Sequence, residues 1–271
     1  MCVNLSFKNM VYFLEKIVIL RYYIKEVNIM KKNIGAFFDI DGTIYRDSLL
    51  IEHFKMLVKY EFINMSSWTG RVKQKFEHWE KRNGNYDDYL LELVETYVDA
   101  LKNLNKNDVE FLAKRVIDLK WERVYRYTRQ KLKEHRKKGH KIIIISGSPD
   151  FLVEKMAQKY EVDDFMASKY LVDKNNIFTG EVVPMWDAKS KKKAINYFCE
   201  KYSIDFSKSY AYGDTTGDLT MFKNVKFPVA INPAMRLIKK IKKDKELSER
   251  IQIIVERKDV IYSLDSHVKV L

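Results

Sequence analysis

The spacing of apolar and polar positions changes character twice along the chain. Residues 34–40 read as a short buried strand: the apolar run Ala36 to Phe38 follows Gly35 and ends in two aspartates, Asp39 and Asp41. After Thr43 helical spacing takes over. Leu49, Leu50, Phe54, Leu57 and Val58 form one apolar stripe, and Trp68, Val72, Phe76 and Trp79 a second. Tyr89, Leu90, Leu93, Val94, Tyr97, Val98 and Leu101 form a third, and Val109, Leu112, Ala113, Val116 and Ile117 a fourth. The polar stretches "NGNY" (83–86) and "NLNKND" (103–108) separate the later stripes. A fifth helix is expected over about 121–138, stopped by Gly139 at a helix C-terminal position. Aromatic stripes of this kind are the core of a helical bundle before they are a cofactor box.

From Lys141 the pattern alternates. "KIIIIS" (141–146) predicts a strand buried on both faces, followed by a helix over 149–161 with Pro149 early in it. The segment 169–183 predicts a hairpin turning near Asn175 and Asn176, and 188–202 a helix. Strand 209–213, a short helix from about 216, strand 227–231, a helix from about Pro233 and a last strand, 251–255, complete the series. Alternation of strands and helices implies a parallel sheet with helices on both faces, an α/β, Rossmann-like doubly wound fold. The first strand belongs to that sheet although the helical block separates it from the others. The expected organisation is a catalytic core of residues 30–46 and 137–271, with residues 47–136 inserted as an α-helical cap and residues 1–29 as an N-terminal extension.

Two readings of that extension stand. Residues 11–30 are apolar but broken by Glu15, Lys16, Arg21, Lys25 and Glu26, which suits an amphipathic helix packed on the body and not the ~20 apolar residues of a spanning helix. Alternatively Met30 is the natural start, and residues 1–29 are not native. The chain shows no signal-type cleavage site. Its two cysteines, Cys2 and Cys199, have no partner spacing, so a reducing, cytoplasmic setting is expected, with no membrane partner.

The formal charge is +13 over 271 residues. The excess is mostly lysine spread over several helices, densest at 131–141 and 236–245, and both clusters read as helices with solvated lysines. No recognition motif accompanies the charge, so no nucleic-acid partner is expected; attraction of an anionic substrate is the milder use of the same field. The histidines show no metal-ligand spacing, and His135 and His140, in the lysine-rich stretch, are expected to face solvent.

The candidate chemistry lies at strand ends, where open α/β sheets bind ligands. Asp39 and Asp41 follow the first strand, and residues two apart share a strand face, so both reach one site. Gly42 lets the chain turn there. Ser146, Gly147 and Ser148 follow the second strand; Asp214 and Asp218 follow strand 209–213. Three or more carboxylates in one volume repel unless a cation joins them, and hard oxygen ligands favour Mg²⁺. A pair of carboxylates of different roles beside a metal suits phosphoryl transfer. Each segment alone has a plainer explanation as a turn or helix cap. All of them together, each at a strand end and in this order, do not.

These residues resemble the motifs of haloacid dehalogenase superfamily phosphatases: "FFDIDGT" the first, "IISGS" the second, Lys191 in "KSKKKAI" the third and "YGDTTGD" the fourth. The resemblance covers about residues 34–235 and is similar in detail to the subfamily of phosphoserine phosphatases, with a helical cap between the first two motifs. It implies a Mg²⁺-dependent phosphomonoester hydrolase acting on a small phosphorylated metabolite. It further implies Asp39 as nucleophile and Asp41 as acid and then base. Asp39, the Asp41 carbonyl and Asp214 would hold Mg²⁺. Ser146 and the Gly147 amide would hold the phosphoryl group, Lys191 would neutralise it, and Asp218 would support the metal or Lys191. Lys189, Lys192 and Lys193 crowd the same stretch; Lys191 has Ile195 and Phe198 at the spacing of the family's helix. The family's substrate-reading glutamate falls at Ser48 here, with Asp47 beside it, so phosphoserine is not the expected main substrate. Tyr45, Asp47 and Ser48 are candidates for specificity, and Arg71 or Arg82 for a substrate carboxylate. A phosphoserine phosphatase proper, a phosphotransferase using the same phosphoaspartate, and a non-catalytic binding protein are the alternatives.

Overall fold

The structure is a computed structural model and describes residues 16–17, 32–64, 71–81 and 83–270; the side chains of Arg71 and Asp87 also fall outside the description. The chain divides into residues 1–33 and residues 34–271. Nearly all of the N-terminal extension, Trp68 and Arg82 lie outside the described residues, as does the Arg71 side chain. Lys16 and Ile17 are helical. Among the described residues no helix is long and apolar enough to cross a membrane.

Residues 34–271 are built on one eight-stranded sheet. Its strands are β1 (Gly35–Phe38), β2 (Lys141–Pro149), β3 (Asp164–Val172), β4 (Phe178–Val183), β5 (Tyr210–Gly213), β6 (Phe227–Ile231), β7 (Gln252–Arg257) and β8 (Val260–Leu264), in the order β4-β3-β2-β1-β5-β6-β7-β8. The six inner strands are parallel; β4 and β8 close the two edges antiparallel. The chain leaves β1 for β2 and β3 on one side, then returns to β5 on the other. The direction therefore reverses between β1 and β5, where such a sheet opens a crevice at its carboxyl edge. Phe38 pairs with both Ile144 and Tyr212, which brings Asp39 level with the ends of β2 and β5.

Continuous apolar strands follow from burial on both sheet faces. Ala36, Phe38, Ile142 and Ile144 belong to one core, and Phe37, Ile143, Ile145 and Ala211 to the other. The first core continues into the helices between β1 and β2: α1 (Leu49–Lys59), α2 (Arg71–Glu80), α3 (Tyr86–Leu101), α4 (Lys106–Lys120) and α5 (Arg126–Lys137). In α3 the fully buried Tyr89, Leu93, Tyr97 and Leu101 recur every four residues, and Trp79 of α2 stacks on Tyr89 with ring centroids 5.7 Å apart. The remaining helices are α6 (Asp150–Lys159), α7 (Ala188–Tyr202), α8 (Leu219–Asn224), α9 (Met235–Lys243) and α10 (Lys245–Arg250).

Three features differ from the sequence reading. The fifth helix starts at Arg126, not 121, because its first amide groups are capped from far along the chain. Glu256 of β7 accepts from the Arg126 and Tyr127 N–H groups at 3.0 and 2.9 Å. The last strand, expected alone, is half of a hairpin: β8 pairs back on β7 through a turn in which Lys258 takes φ +53 without the glycine or asparagine that marks such turns. His135 does not face solvent. It is buried against the sheet, with Nε2 2.8 Å from the Tyr212 hydroxyl and Nδ1 2.8 Å from Nδ1 of His140. Burial lowers its pKa to about 3, with the His140 ring and nearby lysines adding to the effect.

Candidate active site

The carboxyl ends of β1, β2 and β5 and the start of α7 meet around a cavity of about 420 Å³. Asp39 is buried one residue beyond β1, its N–H bonded to the Tyr212 carbonyl at 3.0 Å, so the backbone holds it on the sheet edge. Of the four lysines in 189–193, Lys191 is the buried one. Asp187 caps α7, accepting from the Lys189 and Ser190 N–H groups, and this sets the helix phase that turns Lys191 inward. Its Nζ donates to Asp39 at 2.8 Å and to Asp218 at 2.6 Å. Burial works against the Lys191 ammonium, but Asp218 and Asp39 outweigh it and hold its pKa above the ordinary range. The other Asp218 oxygen accepts from the Asp214 and Thr215 N–H groups at 3.0 and 3.1 Å, so Asp218 clamps the loop after β5 as well as the lysine.

Asp214 has less support: the hydroxyl of Thr43 donates to it at 3.3 Å. Ligand atoms of Asp39, Asp214 and Asp218 all lie within 4.8 Å of one another, and all three residues are buried. One ammonium among three such carboxylates leaves the site short of positive charge, and burial pushes the Asp39 carboxyl up to about 7 despite Lys191, and Asp214 well above its ordinary value. Gly42, at φ +75, lies so close that a Cβ there would stand 2.1 Å from an Asp214 carboxylate oxygen. A set of hard, buried oxygen donors with too little charge to balance them fits a small divalent cation.

Asp41 lines the same cavity. Its carboxylate accepts from the Leu49 N–H at 2.8 Å and from the Ser148 hydroxyl, and burial raises its pKa to about 6 against both bonds. A carboxyl poised there can both give and take a proton near neutrality. Ser146 and Gly147 line the cavity beside it, and a Cβ on Gly147 would meet Cβ of Trp186 at 2.8 Å, so only glycine fits between this turn and the cavity wall.

The structure thus brings Asp39, Asp41, Ser146, Gly147, Lys191, Asp214 and Ser48 to one cavity, with Asp218 directly behind Lys191. Tyr45 and Asp47 do not line it. Tyr45 is fully buried, and Asp47 pairs with Arg123 at 3.4 Å and accepts from the Ser48 N–H. Ser48 itself is the N-cap of α1, its side chain accepting from the Ile51 N–H. Sequence reasoning placed Ser148 at the strand end with Ser146 but gave it no role, although it stands two residues from Ser146 in the same relation as Asp41 to Asp39. It also missed Tyr86, Leu90 and Val94 of α3, and Arg236 and Lys240 of α9, all of which line the cavity. Tyr86 lies in the field of the acidic centre: its pKa is raised far above the ordinary value by burial and then by Asp214 and Asp41.

The chain is 28% identical over 201 residues to the "Inhibition of morphological differentiation protein" of Streptomyces azureus, covering 73% of this chain and 72% of that one. It is 25% identical over 164 residues to a phosphoserine phosphatase of Methanocaldococcus jannaschii, covering 60% of this chain and 70% of the relative. Its fold matches a phosphoserine phosphatase solved as an analogue of the phospho-aspartyl intermediate, with TM-score 0.56, 22% identity, and coverage of 84% of this chain and 96% of that one. Residues 36–223, which run from β1 through Lys191 to the loop of Asp214 and Asp218, match the haloacid dehalogenase-like hydrolase family, and the chain belongs to it.

Proposed function

We propose that this hydrolase is a Mg²⁺-dependent phosphatase that cleaves small phosphomonoesters through a phosphoaspartate on Asp39. One observation carries the reading: Asp39 and Asp41, two residues apart on one strand end, line a single cavity with Ser146 and Lys191. The solved relative captured as a phospho-aspartyl analogue supports it. Asp39, Asp214 and the backbone carbonyl of Asp41 would hold Mg²⁺, which when bound would draw off charge from the phosphoryl oxygens.

Asp39 attacks phosphorus, and a new carboxyl–phosphorus bond forms as the bond to the leaving alcohol breaks. Lys191 keeps Asp39 ionised for that attack and balances the transferred group. Asp218 positions Lys191. The Ser146 hydroxyl and the Gly147 N–H donate to phosphoryl oxygens. Asp41 gives its proton to the leaving alcohol, then takes one from the water that attacks the phosphoaspartate, and phosphate departs with Asp39 restored. Residues 47–136 act as a cap over this chemistry, so substrate choice is set by its helix α3.

The test is phosphate release from a panel of phosphomonoesters with Mg²⁺, together with labelling from a ³²P-ester. An acid-stable, hydroxylamine-labile label on the wild-type chain and none on Asp39→Asn is expected. Turnover with an equal label on Asp39→Asn would overturn the covalent route.

A further inference from the structure

Away from the acidic centre, the cavity has two kinds of wall. Leu50 and the α3 residues Tyr86, Leu90 and Val94 make one of them apolar; the α3 residues are spaced four apart and so share one helix face. The other is cationic. Arg236 and Lys240, four residues apart on α9, project from the same helix face. The Arg236 guanidinium holds the Asp88 carboxylate in a two-pronged pair, Nη1 at 2.9 Å and Nη2 at 3.2 Å, so its fork already has a carboxylate's geometry imposed on it. The pair is partly open, with side chains 42% and 41% exposed, which leaves it within reach of an incoming anion.

Among the described residues that line this cavity, a reader for a substrate ammonium has no comparable place. Of the described carboxylates that line the cavity, Asp39 is engaged by Lys191, Asp41 by the Leu49 N–H and Ser148, and Asp187 by the first turn of α7, while Asp214, which accepts from the Thr43 hydroxyl, belongs to the acidic centre that takes the cation. Ser48 is neutral and spends its oxygen on the Ile51 N–H, and Asp47 lies outside the cavity against Arg123. The cavity volume of about 420 Å³ is at the lower part of the ~300–1,000 Å³ range of small-molecule sites.

We infer that the substrate is a phosphomonoester whose alcohol has an apolar body ending in a carboxylate, which Arg236 takes over from Asp88, and which carries no ammonium group. The inference rests on the phosphatase reading above and deepens it. The phosphate goes to the acidic centre, the apolar body lies along Tyr86, Leu90 and Val94, and the carboxylate reaches α9 with Lys240 adding charge at the rim.

The test uses primary alkyl phosphates of three to eight carbons with three endings: carboxylate, methyl and ammonium. All share one leaving-group chemistry, so differences in kcat/KM report the tail. At the best length the carboxylate series is expected to exceed the methyl series by about tenfold, and the ammonium series by more. In Arg236→Gln the carboxylate-to-methyl ratio should fall to near one, and Arg236→Lys should restore part of it. A merely structural role for Arg236 would lower all three series together and leave the ratio standing, and that result overturns the inference, as does equal or better turnover of the ammonium series. Calorimetry with the matching alkylphosphonates ranks the same tails by binding alone. Absence of turnover with the carboxylate tail still preferred in binding overturns the phosphatase reading and keeps the anion site; turnover with no tail preference does the reverse.

Discussion

At the inner end of the cavity, side chains answer to one another through short, buried bonds. Lys191 joins Asp39 to Asp218, Asp218 secures the Asp214 and Thr215 amides, and the Asp39 amide is tied to β5. At the outer end the contacts are of a different kind. Tyr86, Leu90 and Val94 offer one face of a helix, and the Arg236–Asp88 pair joins α9 to α3 while half exposed. Asp39 and Asp214 follow the ends of β1 and β5, whose register is fixed by parallel pairing, and Lys191 of α7 is held between Asp39 and Asp218, so buried bonds fix their separations. The outer groups project from helices, and the pair that joins α3 to α9 is half exposed, so their separations can follow a ligand. On the proposed function, chemistry falls to the inner end and selection to the outer one.

The largest effect tests the inner end. Asp39→Asn is expected to lower kcat toward phosphomonoesters by on the order of 10⁴-fold or more while the circular dichroism spectrum is unchanged. The amide keeps the volume and one acceptor for Lys191 but loses the nucleophile. Retention of even about one-hundredth of the turnover would move the nucleophile elsewhere and erase the contrast between the two ends.

Metal binding should then separate the ends by stability. A chelator should abolish turnover. Mg²⁺ at about 100 times its Kd should raise unfolding free energy by about 2.7 kcal/mol, seen as a rise in Tm of several degrees. Asp214→Asn should cancel that rise, and Arg236→Gln should leave it. A Tm indifferent to Mg²⁺ in the wild-type protein would remove the cation from the inner end.

How much of this was legible in the sequence differs between the two ends for the same reason. Strand-end residues announce themselves locally: an apolar run stops, and Asp39 and Asp41 follow with the spacing that shares one face. Lys191 was singled out from its neighbours through the resemblance, by Ile195 and Phe198 at the spacing of the family's helix. The wall of α3 was not, because Tyr86, Leu90 and Val94 have the same helical spacing and composition as the core residues Tyr89, Leu93 and Tyr97 beside them. Which stripe faces a cavity depends on what packs opposite. Arg236 was hidden in a lysine-rich helix whose other charges are solvated. His135 had a readable sign, since Thr128, Leu132 and His135 fall on one buried helix face, but the surrounding lysines masked it. The start of α5 had no local sign, because its cap, Glu256, comes from β7.

His135 supplies the next test, since it lies beneath the inner end, against Tyr212 of β5. Its pKa falls from 6.5 to about 3 on folding, so the unfolded chain binds its proton more readily. By linkage this contribution to stability is full above pH 6.5 and declines as pH falls toward about 3. The double variant His135→Phe with Tyr212→Phe removes both partners of that bond, and His140, which loses its bond to His135, is only half-buried. Urea denaturation at pH 7.5 and pH 4.5 should show a smaller acid-induced loss in the double variant than in the wild-type protein. An equal loss in both would mean that His135 is not the group taking up the proton.

The smallest expected effect lies at the seam. Ser48 lines the cavity, yet its oxygen caps α1, and the next residue, Leu49, gives its N–H to Asp41. If Ser48 acts only as a cap, Ser48→Ala should cost about 1 kcal/mol of stability in urea denaturation, and Ser48→Asn should recover most of it. Turnover of a small alkyl phosphate should change by less than about threefold in either variant, because the Leu49 N–H and Ser148 still hold Asp41. Ser48→Glu is a sharper probe: it brings a new carboxylate beside Asp41 and should shift preference toward ammonium-bearing esters, against the trend set by Arg236. A fall in turnover of a hundredfold or more in Ser48→Ala, with stability little changed, would transfer Ser48 from the selecting wall to the reacting floor and redraw the boundary between them.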